Sequence, residues 1–251
     1  MTYVTYLLRT LYGLYALVAF VLGCLLALFA TLLVPVAPLR HKLAAMASRA
    51  IFIVAGIPAE VHGMQNLPDG NAIVVANHAS YVDGILLKGY LPYRFSFVIK
   101  GEMRKVPVVH FVLRRSGSKF VERFHAGGSA RDARKIVKAA QGGDSLAFFP
   151  EGTFIKEPGL GRFRAGAFVS AIRGNMPIVP VAISGTRHIL PAGRILPWPK
   201  RPKFQVLPPI MPGDPAFENH KLLAETARQR ILTVLGEPDR CKVTSENSNL
   251  D

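Results

Sequence analysis

The residues and motifs that the sequence lacks narrow the chemistry open to this chain. Its only cysteines, Cys24 and Cys241, lie in an apolar segment and in a polar end, so no disulfide framework is expected and a reducing compartment is acceptable. The Gly-x-Ser-x-Gly turn that exposes the nucleophile of many serine hydrolases does not occur. No group of His, Cys, Asp and Glu has metal-site spacing. We therefore expect no metal, no cofactor and no serine-based triad.

Acidic residues are scarce, because 31 Lys and Arg face 16 Asp and Glu, which gives a formal charge of +15. The basic residues are densest between Lys100 and Lys138. Nucleic acid would suit this charge, but no helix-turn-helix, RNA-recognition or zinc-finger pattern accompanies it. An anionic membrane surface explains it better, since each basic residue near the surface contributes about 1 kcal/mol of attraction. We expect membrane lipids as partners and no nucleic acid.

Charge is missing altogether between Arg9 and Arg40, and residues 11–34 are almost wholly apolar. A helix of that length would extend about 45 Å, more than a hydrocarbon core of about 30 Å requires. Pro35 and Pro38 should end it. No small-x-small cleavage site follows, which favours an anchor over a cleaved signal peptide. We expect residues 1–56 to anchor the chain in a membrane.

Basic residues follow the apolar segment more densely than they precede it, since Arg9 alone comes before it. The positive-inside rule then places the rest of the chain in the cytoplasm, at the cytoplasmic (inner) membrane. A second possibility is a helix pair that lies in the membrane interface, with residues 41–55 as an amphipathic second arm.

Short apolar runs alternate with helical patterns over residues 57–236, which predicts an α/β domain with a largely parallel sheet flanked by helices. The predicted strands are 59–62, 72–76, 95–99, 119–121, 145–149, 178–183 and 204–207. The predicted helices are 83–89, 105–115, 129–141, 166–173 and 218–235. Residues 237–251 are expected to be a disordered polar tail. Since the core pattern begins near Ala59, we expect this domain to stay folded without residues 1–40.

The most informative segment is residues 77–83, Asn-His-Ala-Ser-Tyr-Val-Asp, which follows the apolar run 72–76. On a straight helix His78 and Asp83 would lie about 140° apart, so they can meet only if His78 precedes a helix and Asp83 begins it. A carboxylate beside an imidazole can fix its tautomer and stabilise its charged form. Helix capping by Ser80 and Asp83 would explain the same residues without chemistry.

A second segment, Pro150-Glu151-Gly152-Thr153, follows the apolar run 145–149. Together with His-x4-Asp it resembles the 1-acylglycerol-3-phosphate acyltransferases, the glycerolipid acyltransferase family. Residues 117–123 (Gly-Ser-Lys-Phe-Val-Glu-Arg) resemble that family's second block, and residues 178–183, with a proline inside an apolar strand, resemble its fourth. Four blocks in the family's order are far more specific than any one of them.

The resemblance implies a single glycerolipid-acyltransferase-like domain that moves an acyl group from acyl-CoA or acyl carrier protein to 1-acylglycerol 3-phosphate, giving phosphatidic acid. Either donor is acidic and fits the positive charge of the chain as well as an anionic membrane surface does. His78 would be the general base and Asp83 its partner, while Asn77 caps the turn or donates to the oxyanion. The other expected substrate-binding residues are Lys100, Arg123, Glu151, Gly152, Thr153 and Arg164. Arg123 ranks first for a phosphate, because a guanidinium binds it through two parallel hydrogen bonds.

One position departs from the family pattern. Many members have Arg or Ser after Pro-Glu-Gly-Thr, whereas this chain has Phe154 and Ile155, and Arg164 is the candidate to supply the missing charge. This departure keeps a different lysolipid open as acceptor, such as a lyso-ornithine lipid. A lipid hydrolase or remodelling enzyme that uses water is a further alternative. A non-catalytic lipid-binding protein would be expected to have lost His78 or Asp83.

Overall fold

Seven strands form one sheet in the computed structural model, which describes residues 3–105, 107–121 and 126–241. They are β1 Glu60–His62, β2 Ile73–Ala76, β3 Ser96–Lys100, β4 Lys119–Val121, β5 Leu146–Phe148, β6 Ile178–Ser184 and β7 Lys203–Val206. Their order is β1-β7-β6-β2-β5-β3-β4, and only the β6–β7 pair is antiparallel. The predicted α/β fold with a largely parallel sheet is therefore confirmed.

Helices cover both faces of this sheet. They are α1 Tyr3–Leu33, α2 Ala37–Val54, α3 Asp83–Tyr90, α4 Pro107–Arg115, α5 Ala126–Gln141, α6 Gly166–Gly174, α7 Thr186–Ile189 and α8 His220–Leu235. Alternate residues of β2 serve the two faces, as strand geometry requires. Val75 joins the core beneath α5, α6 and α8, whereas Val74 joins the core beneath α1, α2 and α3. Because both faces are buried, the central strands are continuously apolar, as the sequence pattern indicated.

Three loops meet at one edge of the sheet. β2, β5 and β6 are parallel neighbours, so the segments that follow their last residues leave the sheet on the same side. These segments are 77–82, 149–165 and the chain that begins at Gly185. In open α/β sheets this edge is the usual place for a ligand site. The two segments singled out from the sequence are thus brought together.

The N-terminal segment forms a helical hairpin of α1 and α2. Gly23 of α1 packs so closely on Ile51 that a Cβ built there would lie 2.2 Å from the Ile51 Cγ1 atom. The hydroxyls of Tyr12 and Tyr15 donate to the carbonyls of Ala55 (3.0 Å) and Val54 (2.6 Å) at the end of α2. The alternative of a helix pair, with residues 41–55 in the second arm, therefore describes this segment better than a lone helix.

The hairpin is held against the domain at both ends. Near its start, Gly13 of α1 contacts Leu196 and Pro197. At its other end, the Arg40 guanidinium donates to the carbonyls of Val34 (3.2 Å) and Arg115 (3.1 Å). Part of α1 therefore belongs to the core. From this packing we expect the stability of the domain to depend on residues 1–40, unlike the expectation from the sequence.

The opposite face of α1 is exposed and apolar. Its side chains include Leu7, Leu11, Leu14, Val18, Leu22, Leu25 and Phe29. Over the described part of the chain, α1 is the one helix that is long and apolar enough to cross a membrane. Its 31 residues extend about 46 Å.

The first residues after α8 pack against the domain, unlike the disordered tail that was expected from residue 237. The Glu237 carboxylate accepts two hydrogen bonds from the Arg187 guanidinium, at 2.9 and 2.8 Å. Asp239 pairs with Arg228, whose side chain is only 2% exposed. The structure therefore holds residues 237–241 in place, while residues 242–251 lie outside the described part of the chain.

Candidate active site

The segment between β2 and α3 brings His78 and Asp83 into contact. Asp83 is the first residue of α3 and His78 lies in the turn before it, which is the one arrangement that the five-residue spacing allowed. The Nδ1 atom of His78 lies 2.9 Å from Oδ2 of Asp83. Asp83 is fully buried, and the His78 side chain is 18% exposed. If Nδ1 carries the proton donated to the carboxylate, Nε2 presents a lone pair to a substrate.

Asp83 also shapes the turn itself. Its Oδ2 atom accepts the backbone N–H groups of Ala79 (2.6 Å) and Ser80 (2.8 Å). The bond from Ser80 is one half of a capping box, but Ser80 Oγ instead donates to the carbonyl of Leu190 (2.7 Å). The same carboxylate oxygen therefore caps the turn before α3 and orients the imidazole of His78.

Asn77 links the end of β2 to β6. Its amide nitrogen donates to the carbonyl of Ile183 (2.8 Å), and its oxygen accepts from the N–H of the same residue (2.7 Å). The side chain is buried and continues the hydrogen bonding between β2 and β6 past the end of β2. The amide oxygen is thus used by β6, and no cap of the turn by Asn77 is seen among the described contacts. Donation by the second N–H of the amide to an oxyanion stays a prediction.

Glu151 connects the His78 turn to the loop after β5. Its Oε1 atom accepts the backbone N–H of His78 (2.8 Å), and its Oε2 atom accepts the N–H of Gly161 (2.9 Å). Burial raises the pKa of the Glu151 carboxyl, although the two backbone hydrogen bonds and nearby positive charge oppose that shift. No local sequence pattern indicates this bracing role, and contact between Glu151 and an acceptor stays a prediction.

Gly152 and Thr153 complete the turn after β5. Gly152 has a φ of +80°, a conformation that side chains disfavour, and its N–H donates to the carbonyl of Phe149 (3.0 Å). That N–H is therefore occupied within the turn instead of being presented to a ligand. Thr153 is exposed beside it. Their predicted contacts with an acceptor stay predictions.

Aromatic rings enclose the His78 imidazole, a feature that the sequence analysis did not predict. Phe149 stacks on the imidazole with centroids 4.2 Å apart and planes 16° apart. Phe154 lies 4.5 Å from it at a tilt, and Tyr81 meets the edge of Phe154 at 4.8 Å. The departure at Phe154 from the family pattern was the available signal. Apolar rings here exclude water from the imidazole and limit its rotation.

Arg164 lies close to the Glu151 turn, because its N–H donates to the carbonyl of Pro150 (2.9 Å), and its contact with a substrate stays a prediction. Its side chain lines a cleft of about 710 Å³. The charged and polar residues of this cleft are Glu151, Arg162, Arg164, His220, Lys221 and Glu225. This basic cleft shares Glu151 with the His78 turn, and its charge could receive a phosphate.

The two other predicted phosphate ligands are not settled by the structure. Arg123 lies outside the described residues. Lys100 is the last residue of β3, and its side chain is likewise outside the description. Within the described part of the chain, no three His, Cys, Asp or Glu side chains group as metal ligands. The site that can be described is a buried carboxylate, an imidazole and an adjoining basic cleft.

Comparison with known proteins gives consistent results. The acyltransferase family model matches residues 58–184. The chain is 31% identical over 136 residues to the chloroplastic 1-acyl-sn-glycerol-3-phosphate acyltransferase BAT2 of Brassica napus, covering 53% of this chain and 39% of that protein. It is 31% identical over 139 residues to the lyso-ornithine lipid O-acyltransferase of Pseudomonas aeruginosa, covering 55% of this chain and 53% of that protein.

A solved structure is similar over nearly the whole chain. The crystal structure of the 1-acyl-sn-glycerophosphate (LPA) acyltransferase PlsC from Thermotoga maritima superposes with a TM-score of 0.72 at 26% sequence identity. The match covers 92% of this chain and 95% of that one. By contrast, the matched region spans only 39% of the length of the Brassica napus relative and 53% of the length of the Pseudomonas aeruginosa relative.

Proposed function

The chain belongs to the acyltransferase family, whose model matches residues 58–184, and from that premise we propose that it acylates a lysolipid. The proposed reaction moves a fatty acyl group from acyl-CoA or acyl carrier protein to the free hydroxyl of 1-acylglycerol 3-phosphate, giving phosphatidic acid in phospholipid biosynthesis. The observation that carries this proposal is the 2.9 Å contact of His78 Nδ1 with buried Asp83, which leaves Nε2 for the hydroxyl.

The reaction needs one base and no covalent enzyme intermediate. Nε2 of His78 takes the hydroxyl proton while the hydroxyl oxygen attacks the thioester carbonyl carbon. The carbonyl becomes a tetrahedral oxyanion, and its collapse breaks the carbon–sulfur bond. The imidazolium, stabilised by Asp83, returns the proton to the departing thiolate. Water in place of the lysolipid would give hydrolysis, and the apolar rings of Phe149 and Phe154 disfavour water at this position.

The basic cleft is the proposed place for the acceptor phosphate, with Arg164 and Arg162 as donors. A guanidinium suits a phosphate because two parallel N–H groups match two oxygens. The cleft adjoins Glu151, which in turn holds the His78 backbone, so a phosphate there would lie near the reacting hydroxyl. Lys100 and Arg123 remain candidates for the same phosphate or for the acidic donor.

Phe154 favours a second candidate acceptor, another lysolipid such as a lyso-ornithine lipid. Its ring packs on His78 and Tyr81 at a place where many family members carry Arg or Ser. The surface next to His78 is therefore apolar. Such a surface suits an acceptor whose charged group lies farther from its hydroxyl. Similarity to a lyso-ornithine lipid O-acyltransferase supports this candidate.

For location, we propose the cytoplasmic membrane, with the catalytic domain on its cytoplasmic side, where acyl-CoA and acyl carrier protein occur. The first half of α1 contacts the domain at Gly13, and the end of α1 is tied to Arg115 of the domain through Arg40 of α2. A helix that crossed the bilayer would separate its ends by the whole hydrocarbon core. The α1–α2 hairpin therefore lies in the membrane interface, with the exposed face of α1 among the lipid chains.

The test of catalysis is the His78→Ala enzyme, which should lose about 10²- to 10⁴-fold in kcat, because the general base is gone. Association with vesicles should not change, since His78 does not belong to the hairpin. His62→Ala, an exposed histidine of β1, is the matched control and should keep full activity. Retention of more than about a tenth of wild-type kcat by His78→Ala would reject His78 as the base.

The acceptor is identified by supplying a labelled acyl donor with lysophosphatidate, lyso-ornithine lipid or no acceptor. Preferred acylation of lysophosphatidate supports the first proposal, and preferred acylation of lyso-ornithine lipid supports the second. Release of free fatty acid at an equal rate without acceptor would overturn both in favour of a hydrolase.

A further inference from the structure

The loop between α7 and β7, residues 190–202, carries four prolines and Trp198, the single tryptophan of the chain. We refer to it as the proline loop. Its base is tied to the active site, because the carbonyl of Leu190 accepts from Ser80 Oγ (2.7 Å) and from the Tyr81 N–H (3.3 Å). The N–H of Trp198 closes the loop on the carbonyl of Ile189 (2.9 Å). A displacement of this loop would therefore also displace the turn that holds His78.

The tip of the proline loop is apolar and exposed. Ile195 is 77% exposed, more than any other large hydrophobic side chain that the structure describes outside α1. A single exposed isoleucine is ordinary on a protein surface. Here, however, the neighbouring Leu196 and Pro197 lie against Gly13, on the face of α1 that packs on the domain. The tip is therefore held next to the helix whose opposite face is apolar and exposed.

Positive charge lies close to this tip. The sequence has no Asp or Glu from Gly185 to Gly213. The Arg194 guanidinium lies 3.7 Å from the centre of the Trp198 ring, and that of Arg9 lies 4.7 Å from it. Burial and the charge of Arg9 lower the pKa of Arg194. An anionic group at this place would relieve the repulsion between the two guanidiniums.

A tryptophan between cations, beside an apolar tip, has the composition of a membrane-interface anchor. Indole rings prefer the headgroup level of a bilayer, where one end is apolar and the other is wet. Basic residues there attract anionic headgroups, and an isoleucine gains by leaving water. Arg194 and Lys200 would face phosphates while Ile195 enters the acyl-chain boundary.

We propose that the proline loop is a second membrane-binding element, which docks on a bilayer containing anionic phospholipids independently of the α1–α2 hairpin. The loop holds the His78 turn through Leu190, so its docking sets that turn at the height of the headgroups. This inference does not depend on acyl transfer, because it concerns only where residues 190–202 lie. It gives a role to a loop that takes no part in the proposed reaction.

Trp198 is the probe, since all tryptophan fluorescence of the protein comes from this residue. The full chain is reconstituted into vesicles of phosphatidylcholine and phosphatidylglycerol in which the lipid chains are brominated near the headgroup. Bromine quenches only a ring that reaches that depth. The wild-type emission should shift to shorter wavelength and be quenched by the brominated lipid.

Two matched variants separate the loop from the hairpin. Ile195→Asp places a charge at the tip, and Met211→Asp places one on an exposed side chain near Ile178, at the opposite edge of the sheet. Both proteins should still sediment with vesicles through the hairpin. Ile195→Asp should lose most of the quenching, whereas Met211→Asp should keep it. Arg194→Gln should weaken docking about five-fold, and only on vesicles that contain phosphatidylglycerol.

Three results would overturn the proposal. The first is wild-type Trp198 that is not quenched although the protein sediments with vesicles. The second is equal quenching in Ile195→Asp and wild type, which would mean that the hairpin alone sets the depth of the ring. The third is emission that responds to acyl carrier protein and not to vesicles, which would make the loop a surface for the acidic donor.

Discussion

Glu151 acts through the backbone, and this decides how its substitution should behave. Glu151→Gln replaces one carboxylate oxygen by an NH₂ group, so either the His78 or the Gly161 N–H loses its acceptor. A displaced His78 should lower kcat about 100-fold, because misplacement of a reacting group by about 1 Å has that effect. The KM for the acceptor should change little.

Steady-state kinetics of Glu151→Gln, with the exposed Glu157→Gln as control, test this positioning role. Unchanged kcat together with a raised KM for a phosphate-bearing acceptor would contradict it, and would return Glu151 to the substrate-binding role that the family resemblance implied.

Lys88 of α3 is a partly buried cation whose Nζ atom lies 5.6 Å from the centre of the Phe97 ring. Burial lowers its pKa from 10.5 to about 8. Between those values the unfolded chain binds more protons than the folded one, so the free energy of unfolding rises with pH from 8 to 10.5. Below pH 8 the buried charge is a full cost to stability.

Lys88→Met keeps the apolar stem and removes the charge. It should raise the free energy of unfolding by about 1–3 kcal/mol at pH 7, since each pKa unit corresponds to about 1.4 kcal/mol. The gain should vanish near pH 10.5. Urea unfolding at both pH values, with the exposed Lys138→Met as control, measures the effect. A gain that is independent of pH would show that packing, and not charge, is responsible.

Among individual residues, the sequence predicted the His78–Asp83 pair because a five-residue spacing across a helix start has one solution. It did not predict the partners of Asn77 or Glu151. The main partners, Ile183 for Asn77 and His78 for Glu151, are 106 and 73 residues away, and only the strand order makes them neighbours. Hydrogen bonds of this kind have no local pattern to reveal them.

At the level of elements, all seven strands were predicted to within two residues of their observed bounds, because buried parallel strands are continuous apolar runs between polar turns. The short α7 was missed, since four residues carry no helical period. Residues 237–241 were misjudged as disordered. Their polar composition does not indicate that Glu237 pairs with Arg187 and that Asp239 pairs with Arg228.

Truncation tests that segment directly. A chain that ends at Gly236 lacks Asp239 and leaves the buried Arg228 guanidinium with Glu225 as its remaining carboxylate partner, at 3.0 Å. Loss of one partner of a buried ion pair should lower the free energy of unfolding by about 3 kcal/mol. A chain that ends at Cys241 should match wild type.

Denaturant unfolding of the two truncated chains, with Asp239→Asn in the full chain, separates charge from length. Equal stability of all these proteins would mean that the contacts of residues 237–241 contribute nothing to the fold.

For the whole molecule, the hairpin joins the domain instead of merely tethering it. Deletion of residues 1–34 would uncover Phe52 and the other buried side chains of α2 that face α1 and the core. We therefore expect the shortened chain to aggregate without detergent and to unfold at a lower temperature with it. Light scattering and thermal unfolding measure both effects. A monodisperse shortened chain with the wild-type Tm would restore the view of α1 as a separable anchor.

The attachment of the α1–α2 hairpin to the domain also bears on membrane shape. If the enzyme lies on one leaflet, as proposed above, it takes its single-chain lipid from that leaflet and leaves the two-chain product there. Each turnover of the proposed reaction would enlarge that leaflet by the cross-section of one hydrocarbon chain. The bilayer then bends toward the opposite side until lipids cross it, so this chain would be a source of curvature stress wherever it is active.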